Sequence, residues 1–354
     1  VRGDRSTRDA TAAAPDAARA DRGRAPVFVV GCPRSGTTLL YHMLLSAGGF
    51  ANYRAETHVF DLLMPRYGHL RSRRMRRRLA EDWIRSTFFR KSGLDADVAR
   101  RRILDAHDGG ELLCSLMTAV ARAQRVSRWA DCTPGHLLHL PEIERTIPHA
   151  RIVHIVRDGR DVALSLDRLG WIRPLPGDHT DPIVVAATFW MWMVRRGCTA
   201  GRSSALTYME IRFEDLVARP RETLRRLGEF IEHDLDYDRI RRRAVGSVRR
   251  PNTSFDDADS SGFDPVGRWR RSLTAERLAR LERITGDALI EFGYDLATDS
   301  SEREAVPSTW ALRAAIYRSV YAVKHAAKTH TPLGRLLTST RMGNRDGGTR
   351  DLMS

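Results

Sequence analysis

Short apolar runs alternate with helical patterns along the first two thirds of the chain. Residues 27–30 form an uninterrupted apolar run rich in β-branched side chains, which predicts a buried strand. The sequence GCPRSG follows, and residues 37–47 then have the spacing of a helix. A second unit begins with RIVHIV at 151–156, a predicted strand, and continues as the helical sequence DGRDVALSLDRL. Residues 205–211 predict a third strand, and 220–232 a further helix.

Strands separated by helices are typical of a mainly parallel sheet with helices on both faces. We therefore predict an α/β protein with three layers, a central sheet flanked by helices. Helical patterns also fill most of the interval between the first two strands, where residues 71–78 form a dense basic run. Residues 274–292 and 309–328 predict amphipathic helices, and residues 247–267 predict a long loop.

The chain divides into three parts. Residues 1–25 are polar and Ala-rich, so we expect a disordered tail, and no apolar run marks them as a secretory signal. Residues 26–296 form the predicted domain, and residues 297–354 form a basic amphipathic helix with a flexible tail. No apolar stretch reaches the roughly 18–20 residues of a membrane-spanning helix. The helix at 309–328 could contact an anionic membrane surface, although packing on its own domain is favoured.

The charge balance narrows the range of partners. Among 354 residues, 59 are Lys or Arg and 44 are Asp or Glu, giving a formal net charge of +15. This excess favours an anionic partner, whether nucleic acid, acidic lipid or a polyphosphorylated small molecule. Only three basic residues are lysines, and Lys91 is the only lysine in the first half. The four cysteines lack the spacing of a metal site and the density of a disulfide framework, which favours a cytoplasmic location.

The loop after the first strand, GCPRSGTT, has the features of a phosphate-binding turn. Gly31 and Gly36 allow the backbone to wrap its N–H groups around an anion, and the following helix adds its positive N-terminal end. A nucleotide-hydrolysing P-loop has lysine after the second glycine, but Thr37 stands here. Arg34 is the only charged side chain in the loop.

A second candidate anion site follows the predicted strand at 151–156. Arg157 and Asp158 come directly after it, and Ser165 lies on the next helix. A P-loop NTPase carries an aspartate at such a strand end to hold its metal, whereas an arginine suits a phosphate. An ion pair between Arg157 and Asp158 or Asp161 is the alternative. Two anion sites at neighbouring strand ends fit a nucleotide that is phosphorylated at two separate places.

These motifs resemble those of the sulfotransferases that use 3′-phosphoadenosine 5′-phosphosulfate (PAPS). PRSGTTLL at 33–40 resembles their 5′-phosphosulfate loop, and IVRDGRDVALSL at 155–166 resembles their 3′-phosphate motif. IRFEDLVARPRETLRRLGEFI and VGRWRRSLTAERLARLERITGDALIEFGY resemble downstream blocks of bacterial members. The resemblance runs from about Pro26 to Tyr294 and includes features of the tyrosylprotein and carbohydrate sulfotransferases.

The resemblance implies a P-loop-like fold for residues 26–296 and a PAPS-dependent sulfotransferase that works without a metal ion. Its product would be 3′,5′-adenosine bisphosphate (PAP). In such a transfer the acceptor attacks in line while the nucleotide phosphate leaves, as in phosphoryl transfer. Donors must surround the oxygens that carry the charge. The amides from Ser35 to Thr38, the two threonine hydroxyls and Arg34 are the expected donors.

The resemblance also assigns the remainder of the nucleotide site. Arg157 and Ser165 match the positions that contact the 3′-phosphate. Phe213 matches a position that borders the adenine, with packing at the strand end as the alternative. Arg268 and Trp269 match a late motif near the 3′-phosphate. The expected cofactor-binding residues are Arg34, Ser35, Gly36, Thr37, Thr38, Arg157, Ser165, Phe213, Arg268 and Trp269.

The segment ANYRAETHVF at 51–60 resembles the tyrosylprotein-sulfotransferase segment whose glutamate takes the acceptor proton. The resemblance therefore places the general base at Glu56, with Arg34 and His58 as further catalytic candidates. An exposed glutamate paired with Arg54 is the alternative. His58 could serve as the base instead, and His136 is another candidate.

The segment WADCTPGH at 129–136 departs from the family pattern. In the segment that it resembles, a lysine precedes Thr-Pro and contacts the transferred group, whereas Cys132 stands at that position. Either an arginine substitutes for this lysine or activity is reduced. Cys132 is not favoured as a nucleophile, because a single displacement needs no covalent intermediate.

The acceptor is a hydroxyl or an amine on a small molecule, carbohydrate, lipid or peptide, and residues 48–128 and 170–200 are expected to shape its pocket. Two other functions compete with this hypothesis. A P-loop kinase of small metabolites fits the first strand and loop but not Thr37. A basic module that binds nucleic acid or anionic lipid fits the charge, but the sequence contains no signature of a nucleic-acid-binding fold. We expect no nucleic-acid partner, and the oligomeric state is open.

Overall fold

The computed structural model describes residues 25–253 and 263–337. The predicted tail at 1–25 lies outside the described residues except for Ala25, which is buried. The end of the chain after residue 337 and the middle of the predicted loop at 247–267 also lie outside them.

Four parallel strands form the central sheet. The strands are β1 (Val27–Val30), β2 (Ala130–Asp131), β3 (Arg151–Val156) and β4 (Thr207–Arg212), in the order β2-β1-β3-β4. Because parallel strands end at the same edge of a sheet, the loops that follow β1 and β3 lie side by side. These are the two loops that the sequence identified as candidate anion sites.

The side chains of β1 alternate between two hydrophobic cores. Val27 and Val29 belong to one core, Phe28 and Val30 belong to the other, and all four are fully buried. A strand with apolar side chains on both faces is stable only when helices cover both sides of the sheet. The run at 27–30 is apolar throughout because both faces of β1 are buried.

The helices of the described residues vary in length from three to 22 residues. In chain order they are α1 (Thr37–Ala47), α2 (Met64–Arg66), α3 (Arg73–Ile84), α4 (Thr87–Ser92), α5 (Ala96–Asp105), α6 (Gly109–Ala123), α7 (Leu140–Thr146), α8 (Gly159–Leu169), α9 (Pro182–Ser203), α10 (Phe213–Ala218), α11 (Pro220–Ile231), α12 (Tyr237–Arg243), α13 (Trp269–Ser272), α14 (Ala275–Glu291), α15 (Ser300–Glu304), α16 (Thr309–His330) and α17 (Gly334–Leu337). Single 3₁₀ segments cover Gly68–Leu70, Pro134–His139 and Gly246–Val248, and a π-helical turn covers Val59–Leu63.

Helices cover both faces of the sheet. Helices α1, α10, α11 and α12 contribute to the core on one face. The core on the other face is larger and includes side chains of α3, α5 to α9, α14 and α16. The predicted three-layer α/β fold with a parallel sheet is confirmed.

The predicted strands differ from the structure in two places. The sequence did not predict β2, which is only two residues long and pairs with Val27 and Phe28 of β1. The third predicted strand, at 205–211, is β4 at Thr207–Arg212. The first strand and the helix after it have the predicted bounds.

The C-terminal helix α16 packs against the domain. The hydroxyl of Tyr321 donates a hydrogen bond to the Val185 carbonyl of α9 at 3.0 Å. The hydroxyl of Tyr317 donates to the Asp178 carboxylate at 2.5 Å. Within the described residues, no helix has the length and apolar character that crossing a bilayer requires.

Candidate active site

The loop between β1 and α1 depends on its two glycines. A Cβ atom at Gly31 would lie 2.5 Å from the Ile155 carbonyl oxygen. Gly36 has φ +97°, and a Cβ there would lie 2.3 Å from the Phe213 ring. Both positions therefore exclude a side chain. Helix α1 begins immediately afterwards at Thr37, so its first N–H groups have no acceptor within the helix and can bind an anion.

Arg34 connects this loop to helix α8. Its Nε donates a hydrogen bond to the Ser165 hydroxyl at 3.0 Å, and its Nη2 donates to the Asn252 carbonyl at 3.2 Å. Its guanidinium also lies 5.6 Å from the centre of the Trp171 ring. The two predicted anion motifs, around Arg34 and around Ser165, are thus in direct contact.

Arg157 extends from the end of β3 towards the same loop. Its Nη1 donates a hydrogen bond to the Arg34 carbonyl at 3.0 Å, and its guanidinium lies 4.6 Å from the centre of the Phe213 ring. Its Nη2 lies 3.7 Å from the Asp161 carboxylate, so the alternative ion pair exists at long range. The Nε of Arg157 is buried and has no hydrogen-bond partner among the described residues.

Burial and a neighbouring cation destabilise the charge of both arginines. Burial, and then the nearby charge of Arg157, lower the pKa of Arg34 to about 10. Burial also lowers the pKa of Arg157, although the Asp161 carboxylate opposes this effect. Both side chains stay charged at neutral pH. An anion between them would relieve the repulsion and supply the missing acceptor for Arg157.

One cleft brings most of the predicted nucleotide-binding residues together. It encloses about 760 Å³ of space between atoms, including space open to solvent. Its lining includes eight of the predicted residues: Arg34, Gly36, Thr37, Thr38, Arg157, Ser165, Phe213 and Arg268. The backbone near Asn252 and Pro265 also lines it, and no sequence motif had pointed to these residues.

Two predicted residues lie outside this lining. Ser35 is fully buried, and its amide donates to the Cys32 carbonyl at 3.0 Å, so this amide faces into the loop. Trp269 is buried, its Nε1 donates to the Asp158 carboxylate at 3.1 Å, and its ring lies 3.9 Å from the Arg160 guanidinium. These contacts give Ser35 and Trp269 structural positions in the free protein, and their contact with the nucleotide stays a prediction.

Hydrogen bonds to Asp161 hold the backbone around Arg268 beside the cleft. The Asp161 carboxylate accepts hydrogen bonds from the backbone N–H groups of Gly267 and Trp269, at 2.8 and 3.0 Å. These bonds fix the backbone on both sides of Arg268 against helix α8. Arg268 itself is almost fully buried, with its guanidinium 4.9 Å from the centre of the Phe263 ring.

Glu56 and His58 form a second group, together with Asp61. The Nε2 of His58 lies 3.1 Å from a Glu56 oxygen, and its Nδ1 lies 3.0 Å from an Asp61 oxygen. The Glu56 side chain is 31% exposed, whereas that of Asp61 is only 5% exposed. The histidine thus bridges a buried carboxylate and one that solvent or a substrate can reach.

The charges in this group are strongly coupled. Burial alone would lower the pKa of His58, but the Asp61 carboxylate and then Glu56 raise it well above its usual value. Burial likewise opposes ionisation of Asp61, but the charge and hydrogen bond of His58 hold its pKa far below the usual range. At neutral pH His58 is therefore an imidazolium that donates to both carboxylates.

His136 does not suit the role of a base. It is fully buried, its Nε2 accepts a hydrogen bond from the Phe60 amide at 3.3 Å, and its Nδ1 lies 2.8 Å from an Asp131 oxygen. Asp131 also accepts a hydrogen bond from the Thr57 hydroxyl at 2.6 Å. Asp131 and Thr57 thus fix the backbone beside Glu56, and the sequence analysis had selected neither of them.

Cys132 lies between Glu56 and the start of α1. Burial, followed by the charges of Glu56 and Asp131, raises the pKa of its thiol well above the usual value, while a hydrogen bond with the Thr37 hydroxyl opposes the rise. The thiol is therefore neutral and a poor nucleophile. Cys132 therefore interacts both with Glu56 and with Thr37 at the start of α1.

Comparison with known proteins identifies the family of the chain. The model of the family described as the sulfotransferase family matches residues 26–238. A Caenorhabditis briggsae protein, provisionally named a protein-tyrosine sulfotransferase, is 24% identical over 213 residues, which are 60% of this chain and 66% of that protein.

The same fold occurs in a solved structure. The sulfotransferase domain of the Synechococcus PCC 7002 olefin synthase superposes with a TM-score of 0.53 at 21% identity, covering 77% of this chain and 96% of that domain. The sulfotransferase domain from the curacin biosynthetic pathway gives a TM-score of 0.49 at 16% identity, covering 77% of this chain and 99% of that domain. The family model matches more than half of the length of this chain, so the chain belongs to the sulfotransferase family.

Proposed function

We propose that this protein transfers a sulfuryl group from PAPS to a hydroxyl or amine acceptor. One observation carries the proposal: Arg34, after β1, and Arg157, after β3, line the same cleft as the start of α1. Positive charge from neighbouring strand ends matches a nucleotide with a 5′-phosphosulfate and a separate 3′-phosphate. PAP, the product, has the same two anionic positions.

The residues of the cleft fit this nucleotide. Thr37 and Thr38, with the amides at the start of α1, would hold the 5′ end. Arg157, Ser165 and Arg268 would hold the 3′-phosphate, for which the buried Nε of Arg157 is an available donor. The face of Phe213 that is not covered by Arg157 would border the adenine.

When bound, PAPS supplies a sulfuryl group, and the sulfur–oxygen bond to its phosphate breaks as the acceptor attacks the sulfur. Glu56 would accept the proton that the acceptor loses. The His58 imidazolium would orient the Glu56 carboxylate through its hydrogen bond, and Asp61 would hold His58 in place. Because both ring nitrogens of His58 donate, we propose Glu56 rather than His58 as the base.

A ligand-stability assay separates this function from a kinase. PAP at about 100 times its dissociation constant should add roughly 2.7 kcal/mol to the free energy of unfolding, which raises the melting temperature by several degrees. ATP with Mg²⁺ should give no comparable shift, because Thr37 occupies the position of the P-loop lysine. A shift with ATP and Mg²⁺ but none with PAP would favour the kinase and refute the proposal.

Activity can be tested with ³⁵S-labelled PAPS and a panel of acceptors. Tyrosine-containing peptides come first because of the name of the Caenorhabditis relative, followed by carbohydrates, phenols and lipids. Label should move to at least one acceptor with the wild-type protein and not with Glu56→Gln. Equal transfer by both proteins would remove Glu56 from the mechanism.

A further inference from the structure

Exposed apolar side chains are concentrated at the C-terminal end of the domain. Six large apolar side chains in the described part of the chain have half or more of their surface exposed, and five of them belong to the C-terminal helices or the turn between them. These five, which we call the apolar stripe, are Leu312, Ile316, Val323, Leu333 and Leu336.

The part of the stripe on α16 occupies one face of the helix. At about 100° per residue, Leu312, Ile316 and Val323 fall within about 40° of one another around the helix axis. Tyr317 and Tyr321, which pack into the domain, lie on the opposite side. Helix α16 therefore has two apolar faces, of which only one is covered by the described residues.

The segment that carries the stripe is basic. Residues 309–337 contain no aspartate or glutamate, and they include two of the three lysines of the whole chain. On α16, Arg318 and Lys324 are exposed and lie on opposite sides of the helix, each roughly 100–140° from the stripe around the axis and closer to the packed face. The basic residues of this segment are Arg313, Arg318, Lys324, Lys328 and Arg335.

We propose that the apolar stripe binds the surface of a membrane that contains anionic lipid. Exposed apolar side chains flanked by cations are the arrangement by which a helix lies in a bilayer interface, with its apolar face among the acyl chains and its cations near lipid phosphates. A basic segment that exposes apolar side chains matches that surface, and the helix does not need to span the bilayer.

The same charges disfavour a second copy of the chain as the occupant. A twofold dimer through this face would bring two identical basic segments together, and residues 309–337 contain no carboxylate to pair with the cations of the other copy. An anionic lipid surface reverses the sign of this interaction. The proposal does not depend on the transfer reaction, because it rests on α16, α17 and the turn between them.

Vesicle flotation with the full chain tests the proposal. The protein should float with vesicles of phosphatidylcholine and phosphatidylglycerol and much less with phosphatidylcholine alone. The triple variant Leu312→Ser, Ile316→Ser and Val323→Ser should lower the partition coefficient for anionic vesicles by at least about tenfold, because it removes the side chains that enter the interface. Circular dichroism and PAP binding should match the wild type, since all three side chains are exposed.

A matched pair of charge variants tests the role of the cations on α16. Arg318→Gln with Lys324→Gln should weaken binding to anionic vesicles by about fivefold per charge. Arg221→Gln with Arg225→Gln removes the same charge from α11, where both arginines pair with carboxylates, and should have no such effect. Equal losses in the two variants would show attraction by net charge alone and refute the proposal.

Three other outcomes would also overturn it. The first is no flotation with any vesicle, and the second is unchanged flotation of the triple serine variant. The third is a concentration-dependent dimer, seen by sedimentation, that the triple variant abolishes while vesicles bind neither protein. That result would assign the stripe to a second copy of the chain.

Discussion

Replacing Arg34 with alanine should lower the affinity for PAP and leave the stability of the fold nearly unchanged. In the folded protein the Arg34 side chain donates to Ser165 and to the carbonyl of Asn252, and its charge lies close to Arg157. The variant Arg34→Ala removes both hydrogen bonds and the charge. It therefore removes one interaction that opposes folding and two that favour it.

The two effects on stability nearly balance. Lowering the pKa of Arg34 to about 10 corresponds to roughly 3 kcal/mol that its charge costs the folded protein without a bound anion. The two lost hydrogen bonds are worth about 1 kcal/mol each. We expect the free energy of unfolding of Arg34→Ala to stay within about 1 kcal/mol of the wild type.

The loss of affinity for PAP has no compensating gain. A charge-assisted hydrogen bond to a phosphate contributes about 1.5–3 kcal/mol, so the dissociation constant for PAP should rise by roughly 10- to 150-fold. Calorimetric titration with PAP measures this change, and thermal unfolding of the free protein measures stability.

Arg128 provides a matched control. Burial also lowers its pKa to about 10, but its guanidinium donates to the backbone carbonyls of Ala25, Ile231 and Glu232. Arg128→Ala should therefore destabilise the fold and leave the affinity for PAP unchanged. The reasoning is refuted if Arg34→Ala binds PAP as tightly as the wild type, or if Arg128→Ala loses affinity to the same degree.

Three further predictions concern variants of Glu56, His58 and Cys132. Glu56→Gln should lower turnover by about 10²–10⁴-fold while PAP affinity stays constant, because a general base acts on the acceptor and not on the nucleotide; a parallel loss of affinity would contradict this role. The raised pKa of His58 means that its charge stabilises the fold fully below about pH 6.5 and that this contribution is lost as the pH rises through the folded-state value. The melting temperature of His58→Asn should thus lie furthest below the wild type in acid and approach it in alkali, and a gap independent of pH would exclude the imidazolium. Cys132→Ser should retain most turnover, and an inactive variant would show that the sulfur is essential. In the wild type the Cys132 thiol should react slowly with iodoacetamide, because burial keeps the thiol neutral.

The unit around β1 could be predicted because its signals are local. The run at 27–30 is apolar and β-branched, and helix α1 lies between Gly36 and Gly48, which both have positive φ angles. The predicted and observed bounds of α1 therefore agree. The strand β2 could not be predicted in the same way, because its two residues are extended only through pairing with β1.

In the candidate site, too, residues with local sequence signals could be predicted and residues that depend on distant partners could not. The motifs around Arg34 and Arg157 were visible because both follow strands, and parallel pairing then brings them together. The position of Trp269 depends on a hydrogen bond to Asp158, which is distant in sequence. A motif match cannot reveal such a contact. Asp61 lies only three residues after His58, but that spacing is common, and its burial beside the histidine is a property of the packed fold.

The choice of arginine at position 34 has a consequence in alkaline solution. In its present surroundings Arg34 has a pKa of about 10 and is fully charged throughout the physiological range. A lysine, which titrates near 10.4 when free, would fall to roughly 8 under the same burial and repulsion. A lysine loop would begin to discharge just above neutrality, whereas this arginine loop keeps a constant charge there.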